Sequence, residues 1–303
     1  MKLSELPRAA LNARLGGVGL FLRTGPFLYH ITSQIDSVAD GLGALYGDFS
    51  IADVAEFADY HVRLLRRRNW RRMGWNVDVQ VGAATPSDPL PVEQSFAVFE
   101  GCLNWCVYTH ANQYLIVHAA AVEKEGGTAI LPAPPGSGKS TLCAALVNSG
   151  WRLLTDELTL IQTDTGAIVP LARPISLKNE SIEVIRRFAP QAEFGPVSPN
   201  TIKGTVAHMR PPAESVARAN ECSQVRWLVK PRYSASSALS AKPISKGRGF
   251  MLMAASAVNY MMHGADGFRL LTGMIDGMDA FELEYSGLTE AIQWFDGLME
   301  SPD

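Results

Sequence analysis

Apolar residues recur along the N-terminal part of the chain with periods that predict short strands and helices. VGLFLRTGPFLYHITS predicts two strands around a turn at Gly25-Pro26, and SVADGLGALYG predicts a helix. YHVRLLRRR alternates between apolar and basic positions and predicts a third strand. VEQSFAVFEGCLNWCVYTH then has apolar residues three and four positions apart, which is typical of a helix.

Beyond Tyr114 the pattern becomes that of strands separated by turns. YLIVHAAAVEKEGGTAILPA predicts a hairpin that turns at Gly126-Gly127, and WRLLTDELTLIQTDTGAIVPL predicts two strands around Thr165-Gly166. TVAHMRP, VRWLVKPRY and AFELEYS predict further strands. NESIEVIRRF, GFMLMAASAVNYMMHG and LTEAIQWFDGLME each predict one helix.

A segment rich in proline, glycine and serine, GAATPSDPLP over residues 82–91, predicts a linker. We therefore expect an N-terminal α+β domain over residues 1–90 and a larger α/β domain over residues 91–303. The chain has 303 residues and is 47% hydrophobic, which is ample for a sizeable core.

One stretch of the second domain, LPAPPGSGKSTLCAAL, predicts a phosphate-binding loop. Gly136 and Gly138 let the backbone wrap closely around an anion, Lys139 reaches the outer phosphates, and Ser140 provides a hydroxyl for Mg²⁺. An apolar strand precedes the loop and a helix follows it, in the order that such a loop requires. The residues predicted to bind the nucleotide are Pro135, Gly136, Ser137, Gly138, Lys139, Ser140 and Thr141.

Phosphoryl transfer also needs a carboxylate near the metal, and Asp156 and Glu157 follow an apolar strand. Asp156 is the candidate proton acceptor and Glu157 the candidate metal ligand, with Ser140. Adjacent side chains on an extended strand point to opposite faces, so both can face the site only if the chain bends there. His118, in YLIVHAAAV, either belongs to this site or is an ordinary core or interface histidine.

Two arginines are candidates for stabilising charge on the transferred group. Arg173, in LARPISLKNES, lies close to Lys178, and Arg210 follows a strand in TVAHMRPP. The segment that contains Arg173 and Lys178 is equally compatible with a solvated loop.

Net charge and cysteine usage narrow the function classes. A net charge of −3 argues against a general nucleic-acid binder. The basic run RLLRRRNWRR, Arg63 to Arg72 with Trp70 inside, could touch RNA or an acidic partner, or form a solvated face or a subunit contact. The four cysteines form no CxxC pair, and no apolar segment is long enough to span a bilayer. We expect a cytoplasmic protein that binds neither membrane nor nucleic acid.

The order HAAAV, PAPPGSGKSTL, GWRLLTDELTLI and RPISLK resembles the catalytic domain of HPr kinase/phosphorylase, and most closely the HPr-kinase-related kinase A subgroup. The resemblance covers about residues 117–298. It implies an α/β fold with a phosphoenolpyruvate-carboxykinase-like P-loop kinase core, joined here to a smaller N-terminal α+β domain. It matches Asp156 to the catalytic acid/base aspartate, Glu157 to a second aspartate, and His118 to a histidine before the loop.

The resemblance also implies ATP and Mg²⁺ as cofactors and a peptide-modification system as context. HPr kinases form rings, so a homo-oligomer is an expectation by resemblance alone. Ala133 stands where the strict loop pattern has glycine, and Pro134-Pro135 stiffen the loop start. We find no copy of the second HPr-kinase signature, which accompanies the phosphorylase reaction.

These observations favour a P-loop kinase that transfers the γ-phosphoryl group of ATP to a Ser or Thr hydroxyl of a peptide or protein. Two alternatives remain open at this point. One is a kinase of a small metabolite such as an amino acid, and the other is a nucleotide-binding regulator or assembly factor with little catalysis. The N-terminal domain is expected to select the acceptor.

Overall fold

The computed structural model describes residues 1–55, 57–69 and 74–299. Trp70, within the basic run, lies outside them. The chain is a mixed α/β protein that forms two compact units. The first unit contains Met1–His110, Arg173–Arg186 and Gln191–Ala217, and the second contains Ala111–Ala172, Arg187–Pro190 and Arg218–Asp303.

The first unit begins with a six-stranded mixed sheet and three helices. The strands are β1 (Leu20–Thr24), β2 (Phe27–Ser33), β3 (Ile51–Ala52), β4 (Tyr60–Asn69), β5 (Gly74–Val81) and β6 (Leu90–Pro91), and the helices are α1 (Arg8–Gly16), α2 (Asp36–Leu45) and α3 (Ser95–His110). Short 3-10 turns cover Leu3–Glu5 and Val92–Gln94. The strand order is β3-β1-β2-β4-β5-β6. The predicted hairpin of β1 and β2 is confirmed, and β4 is a central strand parallel to β2.

Helix α3 belongs to the first unit, so the change of unit follows His110 and not the Pro-rich segment at 82–91. The helix packs on α2 and β5, and it buries Phe96, Phe99 and Leu103. The Tyr46 hydroxyl donates a buried hydrogen bond of 2.6 Å to Glu100. These contacts explain why a helix that follows a linker-like sequence completes the N-terminal core.

The second unit begins with a helix and strands of two different sheets. These elements are β7 (Tyr114–Val117), β8 (Ala119–Lys124), β9 (Gly127–Pro132), α4 (Lys139–Asn148), β10 (Arg152–Thr155), β11 (Thr159–Gln162) and β12 (Ile168–Val169). The predicted hairpin is confirmed as the antiparallel pair β8 and β9. The stretch YLIVHAAAV, however, is two strands, because β7 pairs with β11 and β8 pairs with β9 and β10.

The chain then returns to the first unit and forms a three-stranded antiparallel sheet. The elements of this segment are β13 (Ile175–Lys178), α5 (Glu180–Phe188), β14 (Ser198–Thr201), β15 (Gly204–Met209) and α6 (Ala213–Ala217). The strand order is β13-β15-β14. The N-terminal unit is thus completed by a segment from the middle of the chain.

The last part of the chain completes the second unit. Its elements are β16 (Gln224–Tyr233), β17 (Ser240–Pro243), α7 (Lys246–Ser256), α8 (Tyr260–Asp276), β18 (Asp279–Tyr285) and α9 (Leu288–Gly297). The larger sheet has the order β10-β8-β9-β16-β18-β17, and the smaller one β12-β11-β7. Their apolar side chains form one core with helices α7 and α8, and this core includes Leu115, Ile130, Leu154, Ile161, Leu228, Met253, Leu271 and Ile275.

The Met-rich segment predicted as one helix is two, α7 and α8, because residues 257–259 pair with β7 instead. The Val258 amide donates to the Ile116 carbonyl at 2.9 Å. The Asn259 side chain accepts from the Ile116 amide at 2.9 Å and donates to the Tyr114 carbonyl at 2.8 Å. The strand edge thus captures a segment that is apolar enough to continue as a helix.

A buried ion pair lies in the larger sheet of the second unit. Arg152 and Glu123 side chains are each 5% exposed, with 3.1 Å between Nη1 and Oε2. Arg152 Nη2 donates to the backbone carbonyls of Arg218 and Glu221. The Glu123 carboxylate also accepts from the Gly126 amide at 2.7 Å, so it holds the turn of the β8–β9 hairpin.

Replacing Arg152 by methionine should lower the free energy of unfolding by about 3 kcal/mol, because the Glu123 charge would stay buried without its main counter-ion. Arg269→Met is the matched control, since Arg269 and its partner Asp266 are largely exposed; its cost should be under about 1 kcal/mol. Urea denaturation of both variants measures the difference. Equal losses would contradict the assigned role of the buried pair.

Candidate functional site

The predicted phosphate-binding loop lies at the edge of the larger sheet where several strands end. Strands β9, β16 and β18 are parallel to one another, and Tyr233 and Tyr285 form the last register pair of β16 and β18. Strand β8 runs antiparallel to both β9 and β10, with Ala119 opposite Pro132 and Ala121 opposite Thr155. The carboxyl ends of β9, β10, β16 and β18 therefore share one edge.

The loop begins with a tight turn that its sequence explains. The Ser137 amide donates to the Pro134 carbonyl at 3.3 Å, Pro135 takes the second position, and Gly136 takes the third with φ +84°. Proline followed by a glycine of positive φ is the signature of a type II turn. The Pro134-Pro135 pair thus suits this loop start and directs the chain toward α4.

Gly138 is the N-cap of α4 and has φ +86°, a left-handed conformation that glycine adopts without strain. The Tyr233 amide donates to the Ser137 carbonyl at 2.8 Å, and the Tyr285 hydroxyl donates to the Gly138 carbonyl at 3.2 Å. A Cβ on Gly138 would lie 2.6 Å from the Tyr285 hydroxyl and 2.9 Å from the Tyr233 Cβ. Two tyrosines at strand ends therefore hold the loop in place.

Sequence reasoning missed both tyrosines. Each ends a strand pattern, VRWLVKPRY or AFELEYS, but nothing in those patterns shows that the two strands are paired in parallel beside β9. The Tyr285 pKa is raised by burial and by the neighbouring Tyr233, so the hydroxyl stays protonated and can donate to the loop.

The candidate acidic pair lies in a bend where the chain passes from one sheet to the other. Thr155 of β10 opposes Ala121, and Thr159 of β11 opposes Val117, so residues 156–158 lie opposite residues 118–120. The Leu158 amide donates to the Thr155 hydroxyl at 3.3 Å, which supports the bend. This bend removes the strict alternation of side chains that an extended strand would impose on Asp156 and Glu157.

The structure brings His118, Asp156 and Glu157 to the same sheet edge as the loop. His118 is exposed and lies in a bend between β7 and β8, with its amide donating to the Ser256 carbonyl at 2.8 Å. It is therefore not a buried core residue of one continuous strand. The ends of β9 and β10 are two strand spacings apart, about 10 Å. Long side chains that extend toward each other from the two strand ends can cover this distance.

Two opposite charges are buried beside the loop. Lys139 is 8% exposed and Asp156 is 4% exposed. Burial raises the pKa of the Cys143 thiol on α4, Asp156 raises it further, and Lys139 lowers it. Both charges therefore act on the same buried thiol.

The residues present fit a nucleotide with Mg²⁺. Gly136 and Gly138 have positive φ and precede α4, whose N-terminal amides suit phosphate, and Ser140 and Thr141 lie in the first turn of that helix. The described residues contain no group of three or more His, Cys, Asp or Glu side chains placed to hold a metal. A magnesium ion held by one hydroxyl, one carboxylate and phosphate oxygens does not need such a cluster.

Arg173 belongs to the first unit, where it is 7% exposed. Its guanidinium donates to the Asn104 side chain and lies 3.8 Å from Glu100, and both of these partners are on α3. These contacts anchor the start of the 173–217 segment to the N-terminal core.

Arg210 also belongs to the first unit, with Glu193 at 2.6 Å and Asp48 at 2.8 Å. Burial alone would raise the Asp48 pKa, but hydrogen bonds from Arg210 and Lys2 outweigh it and lower that pKa. Both predicted charge stabilisers are thus engaged by carboxylates of their own unit.

No protein-family model and no curated protein matches the chain. Among solved structures, the chain is similar to the Hpr(Ser) kinase/phosphatase from Coxiella burnetii, with 12% identity over 61% of this chain and 99% of that chain. The TM-score is 0.26. At this score the likeness is too slight to assign a fold or an activity. No helix in the described part of the chain is both long and apolar enough to cross a membrane.

Gly138→Ala should abolish nucleotide binding, because the added methyl group collides with Tyr285 and Tyr233 and displaces the loop. Gly150→Ala is the matched control, since Gly150 also has a positive φ, +95°, but has open space around its Cβ position. It should cost about 1 kcal/mol of stability and leave binding intact. Titration with a fluorescent ATP analogue measures binding, and equal affinities in the two variants would contradict the role given to the tyrosines.

Proposed function

We propose that this protein is a P-loop kinase that transfers the γ-phosphoryl group of ATP to a Ser or Thr hydroxyl of a peptide or protein. The observation that carries the proposal is the convergence, at one sheet edge, of the left-handed loop before α4 with buried Lys139 and buried Asp156. The loop suits the phosphates, the lysine suits the transferred charge, and the aspartate at the same sheet edge suits the role of proton acceptor.

In the proposed mechanism Asp156 accepts the proton of the acceptor hydroxyl as its oxygen attacks the γ-phosphorus. A new oxygen–phosphorus bond forms, the bond to the β-phosphate oxygen breaks, and ADP leaves. Lys139 and the loop amides stabilise the negative charge that spreads over the phosphoryl oxygens. Ser140 and Glu157 are the candidate ligands of Mg²⁺, which when bound neutralises part of that charge.

We further propose that the second unit is a phosphoenolpyruvate-carboxykinase-like nucleotide-binding core of the HPr-kinase-related type. The support is the motif order HAAAV, PAPPGSGKSTL and GWRLLTDELTLI, together with the mixed sheet in which β8, β9 and β10 are neighbours. In this proposal the first unit recognises the acceptor. The chemistry belongs to the second unit, which contains the loop, the acidic pair and His118.

Lys139→Ala should lower ATP affinity at least about tenfold, because a charge-assisted contact to phosphate is lost from a site with little water. Lys124→Ala is the control, since it removes the same charge from the opposite end of β8. Isothermal titration with ATP and Mg²⁺ compares the variants. Unchanged affinity in Lys139→Ala would overturn the assignment of the loop.

Asp156→Asn should keep nucleotide binding nearly intact and lower phosphoryl transfer by about 10²- to 10⁴-fold, because only the proton acceptor is lost. Glu157→Gln should instead raise the Mg²⁺ concentration needed for half-maximal rate. Asp164→Asn, in an exposed turn, is the matched control. Formation of ADP and transfer of the γ-label from ATP to the acceptor are both measured. Normal transfer by Asp156→Asn would place the base elsewhere.

The acceptor class is tested by incubating the protein with γ-labelled ATP, Mg²⁺ and separate pools of Ser/Thr-containing peptides and free amino acids. Labelled peptide supports the proposal. Labelled amino acid with unlabelled peptide would make the protein a metabolite kinase. Hydrolysis without any labelled acceptor, unaffected by Asp156→Asn, would favour a nucleotide-dependent regulator.

A further inference from the structure

The first unit contains a cavity of about 540 Å³ on one face of its six-stranded sheet. Its walls come from the end of α1 and from β2, β4 and β5, and its polar lining includes His30, Thr32, His61, Arg63 and Gln80. We call this cavity the basic pocket. No aspartate or glutamate lines its described walls. A volume of this size is within the usual range of ligand sites.

One end of the basic pocket is formed by a pair of histidines with a defined hydrogen-bond direction. His30 Nε2 lies 2.8 Å from the Val18 carbonyl, which can only accept, so Nε2 carries the proton. His30 Nδ1 lies 3.1 Å from His61 Nδ1 and therefore accepts from it. His61 Nε2 is then the ring nitrogen that remains for a ligand, as an acceptor from a peptide N–H or, protonated, as a donor to a carboxylate.

The His30 ring is held in a fixed place. It stacks on Phe21 with ring centroids 4.6 Å apart, and a Cβ on Gly19 would lie only 1.9 Å from its Nε2. Gly19 has φ +92°, so this position requires both the left-handed backbone that glycine adopts without strain and the absence of a side chain. A ring fixed in this way gives His61 a fixed partner and a fixed hydrogen-bond direction.

Two residues beyond the histidine pair along β2 and β4, on the same face of the sheet, three polar side chains form one row. Thr32 is the register partner of Arg63 in β2, and Gln80 is its partner in β5. None of these three side chains makes a hydrogen bond or ion pair within the described residues. The nearby carboxylate of Asp78 is paired with Arg67 at 2.7 Å, so it does not cancel the Arg63 charge.

We propose that the basic pocket binds an extended acidic peptide segment, with one carboxylate on Arg63. Guanidinium, hydroxyl and amide donors in one row suit a carboxylate, which accepts several hydrogen bonds in one plane. The histidine and Arg63 rows are two residues apart along β2 and β4, about 7 Å, which is the spacing of side chains i and i+2 in an extended peptide. A peptide lying along the strands thus meets both rows.

The binding of an acidic segment stands on this geometry alone. Its identification as part of the phosphate acceptor rests on the proposed function. In that case the basic run noted in the sequence contributes through Arg63 to a partner site, and the acceptor should contain a carboxylate-rich stretch. Remote binding of this kind positions a reacting hydroxyl and raises the rate of transfer.

The test uses the full chain without nucleotide and a fluorescein-labelled peptide of alternating glutamate and serine, followed by fluorescence anisotropy. Arg63→Gln should weaken binding about 10- to 100-fold, the effect of losing a charge-assisted contact. Arg23→Gln, on β1 of the same sheet but not in the pocket lining, is the matched control and should bind normally. Circular dichroism verifies that both variants are folded.

The glutamine version of the peptide should bind about tenfold more weakly than the glutamate version. Equal binding of the two peptides, or normal binding by Arg63→Gln, would overturn the proposal. Tighter binding of a single-stranded RNA of equal length would assign the pocket to nucleic acid, and displacement by free glutarate at equal concentration would assign it to a small anion. Peptide binding without phosphoryl transfer would reject only the proposed kinase function.

Discussion

Parallel pairing of β16 with β9 on one side and with β18 on the other is the constraint on which the candidate site depends. It brings Tyr233 and Tyr285 to the loop that follows β9, where they bond the Ser137 and Gly138 carbonyls. The Tyr233 amide supplies a partner for the Ser137 carbonyl. The Gly138 carbonyl accepts from the Leu142 amide of α4 as well as from the Tyr285 hydroxyl, so the start of the helix is tied to the strand end.

The candidate charged residues of the site, Lys139, Asp156 and Glu157, lie toward the same edge of the sheet. Strand β8 is shared by β9 and β10, so the ends of β9 and β10 are near neighbours although Thr155 lies 23 positions after Pro132 along the chain. The bend after Thr155 passes the chain from one sheet to the other and puts Asp156 and Glu157 outside the ladder. Lys139, at the start of α4, and Asp156, at the end of β10, are both buried.

The first unit has a different character. Its six-stranded sheet buries alternate residues of β4 and leaves His61 and Arg63 exposed on the other face, where they meet His30 and Thr32 in register. A sheet with one solvated face ordinarily alternates apolar with unspecific polar residues. Here the solvated face carries a fixed histidine pair and an arginine without a counter-ion among the described residues, an arrangement suited to binding.

The sequence by itself determined the features that depend on neighbours along the chain. Pro135-Gly136 specifies its turn, Gly138 specifies a left-handed N-cap, and the apolar periods identify β1, β2, β8, β9, α3 and α9 because each local pattern matches one backbone geometry. It also placed Asp156 and Glu157 at a strand end and indicated the need for a bend.

Only the tertiary structure decided what depends on pairing between distant segments. The split of YLIVHAAAV at His118, the break between α7 and α8, and the attachment of α3 and of residues 173–186 and 191–217 to the N-terminal core each follow from contacts with remote backbone or side chains. Strand register is set by which faces are buried together, and a local apolar pattern does not identify the strand with which it will pair. For the same reason the tyrosines beside the loop and the histidine pair beside Arg63 became visible only in the folded chain.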